Sequence, residues 1–369
     1  MSARMSGRVL SLGFVPLVDC APLVAAYEWG FFKNEGLEVK LSREIGWASI
    51  REKLIYGELE AGQALAPLLF RIKLGLGCAI SGVMTAFVLS LQGNAITLSR
   101  DLRNCGVQDA KTLGKLVRSQ LPRRMKFGVV SLYSMHHILL RSWLAGGGID
   151  ADRDIKLVVL PPRQMCQSLA SGSLDGYCVG EPWNTVAVSE KTGWCPVVGG
   201  ELSPLHIEKV LLVRGDFAAV RAQEHAAMIR ALHAAAAACD GLEGRRELVK
   251  LLSRREYLNV PQALLAPSLI GPFSCGDGSP QAEGRFHIFH RGDANLPSVD
   301  RGYRLFRDMQ VAGLIPDSID DPTALLNSIF REDLYREALG DRLKTASNPF
   351  AKPSGSISSQ LSNQTESKT

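Results

Sequence analysis

Alternating apolar and polar positions divide this chain into short strands and amphipathic helices. Val9 to Val15 reads as a buried first strand, and Pro22 suits the opening turn of a helix running through Ala25, Ala26 and Tyr27 to Phe32. Leu37 to Ser42 predicts a strand, Ala48 to Tyr56 a helix, and Cys78 to Leu91 a buried apolar region. Lys126 to Val130 predicts a strand, and His136 to Ala145 a helix stopped by Gly146, Gly147 and Gly148. Ile155 to Leu160 reads as a strand ended by Pro161 and Pro162, followed by a helix over Gln164 to Ala170 and strands over Leu174 to Val179 and Lys209 to Val213. The remainder is mostly helical, over Phe217 to Cys239, Arg245 to Leu252, Pro261 to Leu269 and Val299 to Ala312. Strands separated by helices predict an α/β protein whose parallel sheets are covered by helices.

Composition narrows the function classes. In 369 residues, 46% are apolar and 21% charged, enough for a packed core. The net charge of +5 is small, and the densest basic cluster, Arg123, Arg124 and Lys126, is short, so no direct nucleic-acid contact is expected. No apolar run reaches the roughly 18 residues of a membrane span. Eight dispersed cysteines (Cys20, Cys78, Cys105, Cys166, Cys178, Cys195, Cys239, Cys275) form no CxxC pair and read as free thiols in a reducing compartment. Val9 to Val18 followed by Cys20 superficially resembles a lipoprotein leader. Asp19 stands where cleavage needs a small neutral residue, and Ser11, Gly13 and Pro16 interrupt the apolar run. A cytoplasmic protein is therefore expected. Residues 345–369 are serine-rich and read as a disordered tail.

Candidate chemistry lies in loops that follow strands. Ser131, Ser134 and His136 sit where a strand feeds a helix, a place suited either to a small anion or to simple serine capping. Trp47 is either a core plug or a pocket wall, and Gly93 with Asn94 marks a tight bend that is either an ordinary turn or part of a site. Strand alternation puts Glu208 and Lys209 on opposite faces. Glu181 precedes Pro182 and Trp183 in a capping arrangement. His136 and His137 are adjacent and cannot form a metal site alone, while His287 and His290 read as surface or core residues. GxSxG, Walker A, HExxH and GxGxxG patterns are missing from the sequence, so neither an enzyme nor a cofactor is expected.

Taken together, several segments resemble the nitrate/bicarbonate-binding proteins of ABC transporters, of the NrtA/CmpA kind. They are Gly13 to Leu17 with Ala21 to Val24, Gly30 to Leu37, Gly46 to Arg51, Gly57 to Glu60 with Ala64 to Pro67, Gly93 to Thr97, Asp175 to Asn184 and His206 to Lys209. The resemblance implies a type II periplasmic-binding-protein-like fold with two α/β lobes and a ligand cleft between them. One lobe would comprise residues 8–97 plus 206–330 and the other residues 98–205, with crossings near Thr97 and between Trp194 and Pro204. The oxyanion contacts would fall on Trp47, Asn94, His136 and Lys209, with Gly93, Ser131, Ser134, Glu181 and Trp183 as possible cleft residues. With Glu208 turned away from Lys209, no acceptor would meet the hydroxyl of bicarbonate, which favours nitrate or nitrite. Without a leader, the chain resembles the NasS-type cytoplasmic sensors of nitrate assimilation. Such a sensor would hold an ANTAR-domain antiterminator protein (NasT type) until nitrate or nitrite releases it. The alternative is a transporter solute-binding protein.

Overall fold

The computed structural model describes residues 8–119, 124–278 and 286–344; the serine-rich segment 345–369 lies outside the described residues. In chain order, β1 (Leu10–Phe14), β2 (Val39–Arg43), β3 (Ala61–Leu65), β4 (Val83–Met84) and β5 (Val88–Gln92) begin one sheet. β6 (Asn94–Ser99), β7 (Met125–Val129), β8 (Ile155–Val159), β9 (Gly176–Gly180) and β10 (Gly193–Val198) form a second. The chain then returns to the first sheet with β11 (Ile207–Arg214) and β12 (His287–Ile288). The strand orders are β12-β5-β11-β3-β1-β2, with β4 beside β11, and β10-β6-β9-β7-β8. Helices cover both sheets, giving an α/β protein of two lobes, the periplasmic-binding-protein-like fold that the family resemblance implies.

The sheets are mixed, whereas alternation of strands and helices predicts parallel ones. β1, β2 and β3 are parallel, but β11 runs antiparallel to both β3 and β5. In the second sheet β7 is parallel to β8 and β9, whereas β6 is antiparallel to β9 and β10. The reversals occur where the chain crosses between lobes, because a strand arriving from the other sheet is not bound by the crossover rule that makes βαβ units parallel. The apolar stretch after Val9 forms β1, with Leu12, Phe14, Leu17 and Val18 buried. The helix expected over Phe217 to Cys239 is two helices, Gly215–Val220 and Ala222–Asp240. They part at Arg221, whose backbone leaves the helical region. Within the expected buried region Cys78 to Leu91, Ile80 is 74% exposed and burial starts at Val83. Among the cysteines, Cys105 is exposed and Cys78 half-buried, while the other six are buried free thiols.

The chain leaves the first sheet at Gln92 and enters the second at Asn94, earlier than the crossing expected near Thr97. Gln92 and Gly93 both have positive φ, 60° and 96°. The return crossing, between Val198 and Ile207, contains Leu205 at φ 59°. A Cβ at residue 93 would lie 2.1 Å from Nδ1 of the buried His287, so this crossing demands glycine on two grounds. Gly93→Ala is expected to lower stability by at least about 2 kcal/mol, from backbone strain and ring displacement together, as read by urea denaturation.

Candidate functional site

Where the two sheets face each other, the structure buries a cluster of charged and polar side chains around Lys209. Its ammonium is fully enclosed, with Nζ 2.9 Å from Asp19 Oδ2 and 2.5 Å from Glu208 Oε1. Glu208 is the hub. It accepts from Asn94 Nδ2 at 2.7 Å, His136 Nε2 lies 2.8 Å away without an aligned hydrogen bond, and His206 Nε2 lies 3.5 Å away. Asp19 accepts from the Gln63 side-chain amide, whose oxygen in turn accepts from Val15 N at 2.9 Å. Trp47 closes one side. Lys209 Nζ sits 5.2 Å from its ring centroid, and the His136 ring meets it edge-on at 6.4 Å.

The backbone explains how these groups converge. Strand alternation places Glu208 and Lys209 on opposite faces, but a bulge brings them together. Ile207 and Lys209 oppose the consecutive residues Leu91 and Ser90 of β5, so Glu208 is an extra residue in the ladder. Both side chains are buried, and the expectation that no acceptor stands beside Lys209 is corrected. Asp19 comes from the turn Val18–Cys20 that follows β1. Trp47 opens the helix Trp47–Ile55, whose N-cap Gly46 has no side-chain cap, and His136 lies in the first turn of the helix Met135–Gly146. Asn94 starts β6. Asp19, Trp47, Gln63, Glu208 and Lys209 thus belong to the first-sheet side, and Asn94 and His136 to the second.

Charge is held here against burial. Burial opposes the ionisation of Glu208, yet Lys209 and His136 beside it hold its carboxyl well below the usual range. Burial likewise opposes the Lys209 ammonium, and Asp19 and Glu208 outweigh it and raise its pKa. For Asp19 the balance goes the other way: burial raises its carboxyl, Lys209 only partly offsets this, and the nearby Glu208 charge adds to it. Polar atoms remain unmatched at the same place. Trp47 Nε1, both ring nitrogens of His136 and Asn94 Oδ1 are buried and have no hydrogen-bond partner among the described residues. Buried polar groups are nearly always paired, so these converging exceptions mark a place for a polar ligand. A cavity of about 250 Å³ adjoins the cluster, lined by Met135, His206, Arg301, Arg304 and Arg307.

Trp47, Asn94, His136 and Lys209, the contacts implied by the resemblance, are therefore brought together. The other cleft candidates divide. Gly93 adjoins Asn94 and lets the chain turn against His287. Ser134 caps its helix by accepting from His137 N at 3.2 Å and donates to Ser131 O at 2.6 Å. Ser131 Oγ accepts from Tyr133 N at 3.1 Å, so both serines are engaged locally. His136 and His137 are buried, not solvent-facing as simple capping would leave them. Trp183 lines a separate cavity of about 400 Å³ between the sheets, with Val15, Arg43, Pro161 and Pro162. Asp19 and Gln63 escape sequence reading. The available signal was a lone acidic residue in the apolar run Val9 to Val24 and a lone amide in Ala61 to Leu65. Among the described residues, no three His, Cys, Asp or Glu side chains converge as a metal site.

Glu181 acts structurally. Its carboxylate accepts from Thr185 N at 3.3 Å and from the Thr185 hydroxyl at the start of the helix Trp183–Ser189, and its carbonyl accepts from Val18 N at 2.9 Å. Burial pushes this carboxyl from the ordinary 4.5 up to about 7, only partly offset by Thr185 and Asn184. A raised carboxylate pKa means the folded state holds the proton more tightly than the unfolded chain. Its stabilising effect is complete below pH 4.5 and is lost as pH rises to about 7. Glu181→Gln is expected to flatten this fall in thermal stability by up to about 3 kcal/mol, with anion affinity unchanged. Melting curves from pH 5 to 8, with calorimetry on the variant, check both.

The NMT1-like family model matches residues 6–253. The nitrate/nitrite binding protein NrtA of Synechococcus elongatus is 30% identical over 341 residues, covering 89% of this chain and 77% of that protein. The bicarbonate transport ATP-binding protein CmpC of Synechococcus elongatus is 40% identical over 255 residues, covering 69% of this chain and 38% of its own length. The chain spans about half the length, or less, of the ATP-binding relatives it matches. The crystal structure of the periplasmic nitrate-binding protein NrtA from Synechocystis superposes with a TM-score of 0.85 at 26% identity, covering 90% of this chain and 88% of that one. The chain belongs to the NMT1-like family, among relatives of the NrtA and CmpA nitrate- and bicarbonate-binding proteins.

Proposed function

We propose that this protein is a clamshell receptor for a small planar oxyanion, nitrate, nitrite or bicarbonate, serving as the solute-binding protein of an ABC importer. The observation that carries the reading is the set of unmatched polar atoms on Trp47, Asn94 and His136 beside the Lys209 ammonium. An oxyanion accepts from the Trp47 and His136 ring N–H groups, pairs with one fixed positive charge and needs no catalytic base, while the Asn94 amide oxygen, an acceptor, suits an anion that carries a hydroxyl. The uncapped helix start at Trp47 adds backbone N–H groups, and the three arginines of the adjoining cavity draw anions toward the cluster.

Glu208 changes the choice among anions. Beside Lys209, its carboxylate can accept from the hydroxyl of bicarbonate but only repels nitrate. Bicarbonate therefore stands level with nitrate as the ligand, where a strictly alternating strand would have favoured nitrate or nitrite. The chemistry is that of a binding protein rather than an enzyme, in keeping with the names of its relatives.

The cytoplasmic sensor that controls an ANTAR-domain antiterminator protein is the second reading. One observation bears on it: cleavage before Cys20 would remove β1 and Asp19, whose carboxylate pairs with Lys209, so a leader ending there would take part of the fold with it. In that reading the anion favours the closed cleft and the partner the open one.

Calorimetry with nitrate, nitrite and bicarbonate tests the first reading, and absence of binding to all three overturns it. Trp47→Phe, which keeps the wall and removes the indole N–H, is expected to weaken binding roughly tenfold. Lys209→Met is expected to abolish binding and also to cost about 3–5 kcal/mol of stability, because it strands two buried carboxylates. For the second reading, fractionation of cells is expected to place the protein in the cytoplasm. On gel filtration, its complex with the antiterminator is expected to dissociate on nitrate but not on chloride. A periplasmic location overturns it.

A further inference from the structure

The site that attracts an anion holds more negative than positive formal charge of its own. With the imidazoles of His136 and His206 counted as neutral, Lys209 contributes one positive charge, and Asp19 and Glu208 contribute two negative ones, all buried and in contact. His287, the nearest imidazole of β12, is kept neutral, its pKa lowered to about 3 by burial and by the charges of Arg245 and Lys209. The helix starts at Trp47 and Met135 bring N–H dipoles that offset part of the excess but carry no exchangeable proton. Adding an unprotonated monoanion would put three negative charges around one ammonium in a site closed to water, an arrangement that buried charge does not tolerate.

We propose that this receptor takes up nitrate or nitrite only together with a proton, which is received by the Asp19 carboxylate. The proposal rests on the oxyanion reading above and deepens it. Bicarbonate is a monoanion too, but its hydroxyl donates to Glu208 or Asp19 and turns an oxygen–oxygen repulsion into a hydrogen bond, so it binds without drawing a proton from solvent. The site would thus distinguish its two ligand classes by where the proton comes from.

Geometry selects Asp19 over Glu208. Asn94 and Lys209 donate to Glu208 and stabilise its charged form, with His136 Nε2 2.8 Å and His206 Nε2 3.5 Å away. Asp19 has fewer partners. Gln63 of β3 donates to Oδ1, while Oδ2 meets Lys209 as an ion pair without a well-aligned hydrogen bond. Cys20 follows Asp19 in its own turn, with Arg43 of β2 beyond it. Glu208 and Lys209 face it from β11, and His136 faces it from the helix Met135–Gly146. From β9, Gly180 packs against Oδ2, and Cys178 lies near Glu208 and Lys209. Glu181 follows Gly180 but is occupied with Thr185. The lysine is already paired, and the carboxylate with fewest donors takes the proton.

Calorimetry of the full chain in two buffers of different ionisation enthalpy reads the coupling directly. The expected result is uptake of about one proton per nitrate, none per bicarbonate, and a nitrate affinity that falls by up to about tenfold per pH unit above neutrality. Asp19→Asn is expected to bind nitrate without proton uptake and with a flat pH profile. Should Asp19→Asn not fold, Glu208→Gln removes the other negative charge and is expected to lower the nitrate-linked uptake in the same way. Nitrate binding by the unaltered protein with no proton uptake overturns the proposal while leaving the oxyanion reading intact. Absence of binding to every anion overturns both.

Discussion

A buried ammonium held between two carboxylates is the constraint around which the rest of this molecule is arranged. Each charge costs several kcal/mol to remove from water, and mutual attraction offsets this only when geometry and extra hydrogen bonds are both good. The fold supplies both. β11 crosses the middle of its sheet, so Lys209 cannot reach solvent, and the bulge at Glu208 delivers the counter-charge from the next residue. The turn after β1 brings Asp19, fixed by Gln63 from β3. Three segments far apart in sequence must be in place before any of the three charges is tolerable. The cluster is thus a consequence of the completed first sheet and cannot precede it.

The same cluster joins the two lobes. Glu208 belongs to the first sheet, but Asn94, which donates to it, and His136, 2.8 Å from it, come from the second. Trp47 and His136 meet edge-on across the same boundary, and Val18 donates to the carbonyl of Glu181. Closure over a ligand is usually described as driven by the ligand's own contacts with both lobes. Here part of that bridging is made by protein groups, so a ligand need supply only the difference between its interactions in the open and closed states. A small anion with three oxygens has few contacts to give, and a cleft already linked by Glu208 lowers what is asked of it.

Much of the fold was legible because apolar periodicity reports burial directly. The helix Gln164–Ala170 and the strand β7 fall at or within a residue of their expected bounds. Strand direction was not legible, since periodicity says which face of a strand is buried and nothing of what lies beside it. β6 and β10 were missed for a related reason. Gln92 to Thr97 carries turn residues before a short strand, and β10 contains Pro196. At the site, Trp47, Asn94, His136 and Lys209 were reached through resemblance, and the residues alone left each of them ambiguous. Glu208 was misplaced because alternation fails at a bulge, and a bulge depends on the partner strand. Asp19 was noticed only as an obstacle to leader cleavage. Its charge has the same explanation as its position: a carboxylate in an apolar run is tolerated when a cation comes to meet it.

Neutralisation of Lys209 also bears on which anions are refused. A lysine alone in a polar pocket attracts any anion, and a dianion such as sulfate more strongly than a monoanion. With Asp19 and Glu208 already in contact, each further negative charge must be matched by a proton or by displacement of a carboxylate that several donors hold in place. A dianion would require twice as much, in a site with one weakly held carboxylate to receive a proton. Size is a poor discriminator among small oxyanions, and hydrogen-bond donors serve nitrate, bicarbonate and sulfate alike. Internal carboxylates supply the missing repulsive element. They weaken binding of the favoured ligand somewhat and that of the doubly charged competitor far more, so the residues that seem to oppose anion binding are the ones that make it selective.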